Sequence, residues 1–230
     1  MKRIPGFAVL VVLLIVGVQA QAGDGDLAAA AWKIPIWLKV LHTAFLCVLV
    51  PIYWRYYGPS NFLWFSDIAL LVTVATLWLE SPFLASMQAV SVVALELAWL
   101  VDFLIRAVTG VHVVGISRYM FNPDIPLWLR GLSLFHVWLP FLLVWLVWRL
   151  GYDRRAWLAQ SAMALAVLPV CYFFTAPSSN INWVFGPGDK PQGRIYSGLY
   201  LVLLMVFFPI CVYLPTHLVL QRLFADRLIP

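Results

Sequence analysis

Charge is what this chain lacks. Lys, Arg, Asp and Glu make up 11% of its 230 residues, less than half of the roughly 25% found in soluble domains. A water-facing surface cannot be assembled from that composition. Cysteine is scarce too. Cys47, Cys171 and Cys211 stand singly in separate apolar stretches, with no CxxC pair and no disulfide spacing, so they read as structural thiols. No N-x-S/T sequon occurs. The net charge of +5 comes from loop Lys and Arg without a basic patch, which excludes nucleic acid as a partner.

What is present is hydrophobicity: 63% apolar residues and a mean hydropathy of +0.91. At the start, Lys2 and Arg3, an apolar run from Phe7 to Val18 and Ala20-Gln21-Ala22 have the layout of a secretory signal peptide over residues 1–22. An uncleaved anchor helix is the alternative. Without Lys2 and Arg3 the net charge falls to +3. Residues 23–230 then form one domain.

Six apolar segments follow, at approximately 34–54, 61–79, 82–106, 127–149, 156–175 and 196–222. Each is long enough to cross about 30 Å of hydrocarbon. The expected fold class is all-α: a polytopic six-helix bundle whose first partner is the lipid bilayer. Trp37, Trp54, Trp64, Trp78, Trp128, Trp148 and Trp157 lie near segment ends, where an indole settles at the headgroups. Pro140, Pro169, Pro209 and Pro215 predict kinks or unwound turns in the last three segments. The Lys/Arg balance across the loops is even, six against six, so orientation rests on the signal peptide alone.

The halves resemble each other. Ile34-Pro35-Ile36-Trp37-Leu38-Lys39 reads almost as Ile125-Pro126-Leu127-Trp128-Leu129-Arg130. With three added residues, His42 falls on His136 and Trp54 on Trp148. Three crossings per half would make this an inverted repeat, with polar sites at the repeat interface. Coincidence between two Trp- and Leu-rich helices entered through proline is the alternative.

Five ionisable groups interrupt the apolar segments: His42, Asp67, Glu96, Asp102 and His136. Such groups are costly in hydrocarbon and face an interior, a partner or a cavity. Counting rise per residue from the side carrying the long loops, Asp102 lies about 6 Å deep, Asp67 about 9 Å and Glu96 about 15 Å. On the same scale His136 lies about 14 Å and His42 about 18 Å deep. On the third segment Glu96 is turned about 120° from Asp102, which makes it the weaker site member. Ser66 points away from its neighbour Asp67, against a Ser–Asp dyad. The expected ligand-binding residues are therefore His42, Asp67, Asp102 and His136, with Asn180 and Asn182 in the loop above. His42, Asp67 and His136 are the residue types of a metal site, or equally of an acid–base pair. Nothing has the tight spacing of HExxH, and no catalytic residue or cofactor is specified. Interhelical hydrogen bonding is the plainer role for each group alone.

The stretches Leu41-His42-Thr43-Ala44-Phe45, Asn61-Phe62-Leu63-Trp64-Phe65-Ser66-Asp67, Ser133-Leu134-Phe135-His136 and Asn180-Ile181-Asn182-Trp183 resemble uncharacterised bacterial multi-pass proteins known only as membrane-associated. The segment Asn182–Pro191 and the following helix are similar to YwaF-like six-helix membrane proteins. The resemblance implies the inner membrane of a bacterial cell, and no activity. Three functions fit: binding or transport of a small or lipid-like ligand at mid-membrane, an intramembrane enzyme acting on a lipid, or a scaffold. Six helices are few for a transporter, so the first implies a homodimer.

Overall fold

The computed structural model describes residues 33–188 and 191–229, which are mostly helical. The expected signal peptide over 1–22 and the pair Asp189-Lys190 lie outside the described residues. Five helical stretches are long and apolar enough to cross a membrane: Ile36–Tyr56, Pro82–Thr109, Leu127–Leu150, Ala156–Phe174 and Ser197–Leu223. The expected crossing at 61–79 is shorter. A 3-10 turn, Pro59–Leu63, leads into the 15-residue helix Phe65–Leu79.

In chain order, α1 is Ile36–Tyr56, α2 Phe65–Leu79 and α3 Pro82–Thr109. The fourth stretch is broken into α4 (Leu127–Leu132) and α5 (Phe135–Leu150). The pair β1 (Tyr152–Asp153) and β2 (Leu228–Ile229) runs parallel, with Tyr152 opposite Leu228. Between them come α6 (Ala156–Phe174), α7 (Ser197–Phe207), a π-helical turn (Phe208–Tyr213) and α8 (Leu214–Leu223). Gly151 makes the turn into β1 at φ 105, and a Cβ there would lie 2.7 Å from the Ile229 side chain.

Local chemistry explains the breaks. At the tight α2–α3 corner Glu80 adopts φ 48. Ser81 caps α3 by accepting from the Leu84 N–H at 3.3 Å, and Pro82 opens the helix at a position needing no N–H. Pro35 and Pro126 enter α1 and α4 with nearly the same dihedrals, φ −58, ψ 135 and φ −51, ψ 137. Pro140 and Pro169 sit inside continuous helices. Only the Pro209–Pro215 region loosens into the expected irregular turn. There the Leu214 N–H reaches back to the Pro209 carbonyl, which also accepts from the Trp157 indole at 2.9 Å.

α3 is the hub, packing against α2, α5, α6 and α8. Its first half is buried on every side from Ala85 to Val93, apart from Met87. α1 buries only Lys39, His42, Leu46, Leu49 and Tyr53, one stripe at heptad spacing. Its other faces expose large apolar side chains, among them Trp37, Val40, Leu41 and Val48, as a lipid-facing helix does. Trp37, Trp54, Trp128 and Trp148 are exposed, whereas Trp78 and Trp157 turn inward to hydrogen bonds.

Candidate functional site

The buried stripe of α1 is polar at both ends. At one end Lys39 is fully buried, with Nζ 2.9 Å from Glu80 Oε1. Glu80 also accepts from the backbone N–H groups of Lys33 and Ile34 at 3.0 and 2.9 Å. Burial alone would raise the Glu80 carboxyl, but Lys39 and the two N–H groups hold it below the usual glutamate range. This cluster ties the entry of α1 to the α2–α3 corner. It is a structural clasp.

At the other end Tyr53 brings α1 to a polar cluster on the long-loop side. The Tyr53 and Ser133 hydroxyls lie 2.7 Å apart. Ser133 marks the break between α4 and α5. Tyr119 turns its hydroxyl toward the same serine from the loop above, and burial pushes that phenol well above its ordinary range. Tyr53, Glu96 and Asp67 also act on Tyr119 electrostatically. The phenol stays protonated, able to donate.

Glu96 on α3 and Asp67 on α2 complete the cluster, and their like charges act on one another electrostatically. His136 Nδ1 lies 2.6 Å from Glu96 Oε2, and its ring stacks on Trp99 at a centroid distance of 4.8 Å. Asp67 differs. Its carboxyl is 5% exposed, and its one hydrogen bond is a long 3.4 Å contact from the Asn61 amide. No basic side chain pairs with it among the described residues.

The other expected ligand residues have internal partners. His42 Nε2 donates to the Leu70 carbonyl at 3.0 Å, and the ring meets Trp138 edge-on. That tautomer leaves Nδ1 as a buried acceptor without a partner. Asp102 is taken up by the loop that follows its own helix. One carboxylate oxygen accepts from the N–H groups of Val113, Val114 and Gly115 at 2.9, 2.8 and 3.0 Å. The other accepts from Ser117 N and Oγ at 3.0 and 2.6 Å. Its acceptor capacity is saturated by loop donors. Asn182 accepts from the Phe65 N–H at 3.0 Å and donates to the Leu63 carbonyl at 2.7 Å, stitching its loop to the start of α2. Asn180 closes its own loop through Gly186, Gly188 and Phe185. Asn180, Asn182 and Trp183 all hold left-handed backbone.

The expected four-residue site therefore divides. Asp67 and His136 meet in one cluster through Glu96, the acid the helical wheel had set aside. His42 and Asp102 stand apart from it with partners of their own. Among the described residues no three His, Cys, Asp or Glu side chains form a group that could hold a metal, so His42, Asp67 and His136 do not converge on one ion. Tyr53, Tyr119 and Ser133 were not expected. The heptad stripe 39-42-46-49-53 was the available signal for Tyr53. No family model, curated protein or solved structure matches the chain.

Proposed function

We propose that this is a membrane-embedded binding or transport protein that takes a small or lipid-like ligand at the cluster of Asp67, Glu96, His136, Tyr53 and Tyr119. The observation that carries the reading is Asp67: among the described residues, a buried carboxyl with no basic partner and one long hydrogen bond. Isolated buried carboxylates are expensive, and they are retained where something else neutralises them. A ligand with a cationic or hydrogen-donating group would do so, while Tyr119 and the Glu96–His136 pair fix its orientation. The reading keeps six crossings, with α2 and its 3-10 turn as the second, a leader over 1–22, and residence in a bacterial inner membrane. The matched proline entries of α1 and α4 favour a 3+3 inverted repeat, and a homodimer would supply the missing helices.

Native mass spectrometry of the protein in mild detergent tests this. The wild type should carry a small molecule or lipid that Asp67→Asn loses while its thermal midpoint holds or rises. Identical adduct spectra for the two, or none on the wild type, would overturn the proposal. A second reading, an intramembrane acid–base enzyme acting on a lipid, is favoured by one contact, the 2.6 Å Glu96–His136 pair. Scaffold-type bonding accounts for Asp102, Asn180 and Asn182.

A further inference from the structure

Below the acid cluster the bundle core holds a second set of polar groups, none of them charged. Gln88 and Ser91 on α3, Gln160 on α6 and Tyr213 in the π-helical turn are all fully buried. Among the described residues, neither amide atom of Gln88 or Gln160 has a hydrogen-bond partner, nor does the Ser91 or Tyr213 hydroxyl. The Tyr213 hydroxyl faces the Gln160 amide without closing a well-formed hydrogen bond. In hydrocarbon each unsatisfied group costs several kcal/mol. Two amides and two hydroxyls left open together call for an occupant that both donates and accepts, and water meets that requirement.

Their order along the membrane normal is consistent. Counting from Glu96 at the helical rise, Ser91 lies about 7 Å deeper and Gln88 about 12 Å. The Asp153 N–H donates to Ser86 Oγ at 2.9 Å, which sets the start of α6 beside Ser86. Gln160, just over one turn into α6, then comes about level with Ser91. His217 follows Tyr213 by four residues, on the same face of the last helical stretch. It shares a 2.7 Å hydrogen bond with Tyr152, which Asp153 follows in β1 at the opposite end of the bundle. Among the described residues, the acids, bases and histidines of this line stand at its two ends, and the Tyr213 phenol is the titratable group between them. Asp67, Glu96 and His136 are at one. His217, Tyr152, Asp153 and Arg155 are at the other, while His42 and the Lys39–Glu80 pair lie off the line beside α2.

We propose that Ser91, Gln88, Gln160 and Tyr213 line a row of internal waters. Along it protons pass between the Asp67–Glu96 cluster and the Tyr152–His217 pair. Each hop breaks one O–H or N–H bond as it makes the next, so no redox partner is needed. The path takes its acidic end from the proposed ligand site, coupling that site to a proton gradient.

The test uses the full chain in sealed liposomes with an entrapped pH dye, under an imposed pH gradient and a potassium–valinomycin potential. The wild type should acidify the lumen faster than protein-free vesicles. Gln160→Leu and Gln88→Leu, near-isosteric and apolar, should each cut the flux by about tenfold, the effect of one lost hydrogen-bonding group at the barrier. Their thermal midpoints should not fall. Tyr213→Phe, which removes one oxygen, should act likewise and decides the matter if the glutamine variants fail to fold. Wild-type flux equal to that of empty vesicles, or unchanged flux in these variants, overturns the proposal. Ligand retention by the wild type and its loss in Asp67→Asn are read separately, so either idea can fail alone.

Discussion

A tyrosine in an apolar helix has two uses, and Tyr53 shows how a partner decides between them. Its ring fills the last position of the α1 stripe, and its hydroxyl meets Ser133 across 80 residues of sequence. Removing a buried hydrogen bond leaves the other partner stranded, at a cost of about 1 kcal/mol net. Tyr53→Phe and Ser133→Ala should each lower stability by about that amount. In a double-mutant cycle read by thermal denaturation in detergent, the double variant should cost little more than either single one. Additive losses would place the two hydroxyls out of contact. His42 is the contrasting case: its Leu70 bond uses only one ring nitrogen, so His42→Phe should be tolerated better than Tyr53→Phe.

Among the elements, the loop after α3 depends on a single side chain. Asp102 receives three successive backbone N–H groups and both donors of Ser117, the role that a helix cap plays at an N-terminus. Asp102→Ala would leave those donors without their acceptor and should release the loop, at a cost of about 3 kcal/mol. Limited trypsin digestion reads this directly. Cleavage at Arg106 and Arg118 should rise sharply in the variant while the helical circular dichroism stays near wild type. The β1–β2 closure makes a parallel case, since Gly151→Ala would drive a methyl group into Ile229.

Across the whole molecule, two ion pairs whose carboxylates lie outside the membrane-spanning segments fix the end opposite the long loops. Glu80 is held below its ordinary range by Lys39 and two N–H groups against the effect of burial, and Asp153 likewise by Arg155. Folded-state values below the unfolded ones mean stability that is present above the unfolded pKa and lost as pH falls through the folded one. The thermal midpoint should therefore decline as the buffer is taken below about 4.5, the ordinary glutamate value. Glu80→Gln should be less stable at neutral pH, with a shallower acid slope. An acid profile identical to wild type would remove Glu80 from that role.

Much of the architecture was legible, because hydrophobic runs near membrane length are the strongest signal a chain carries. The division of 127–149 at Ser133 was visible only as the three-residue offset between the halves. The site was legible in part. Depth counting brought Glu96 and His136 to one level, at about 15 and 14 Å, but a helical wheel ranks residues within one helix and cannot show that Glu96 meets a histidine on another. Asp102 looked like a ligand group because its partners are backbone N–H groups, which no side-chain pattern announces. Hydroxyls such as those of Tyr53, Tyr119 and Ser133 carry no charge to mark them in an apolar stretch.

The central place of α3 also dictates an order of assembly. Its neighbour α2 is synthesised before it, but α5, α6 and α8, which cover its other sides, emerge later. When α3 first meets the insertion machinery, Gln88, Ser91, Glu96 and Asp102 have few of their final surroundings. Lipid is a poor host for such a helix. It must wait at the insertion channel, shielded by it, until the later helices arrive to take over. Biogenesis should therefore be a delayed release of the middle of the chain rather than a helix-by-helix exit, which crosslinking of stalled chains to the channel would read.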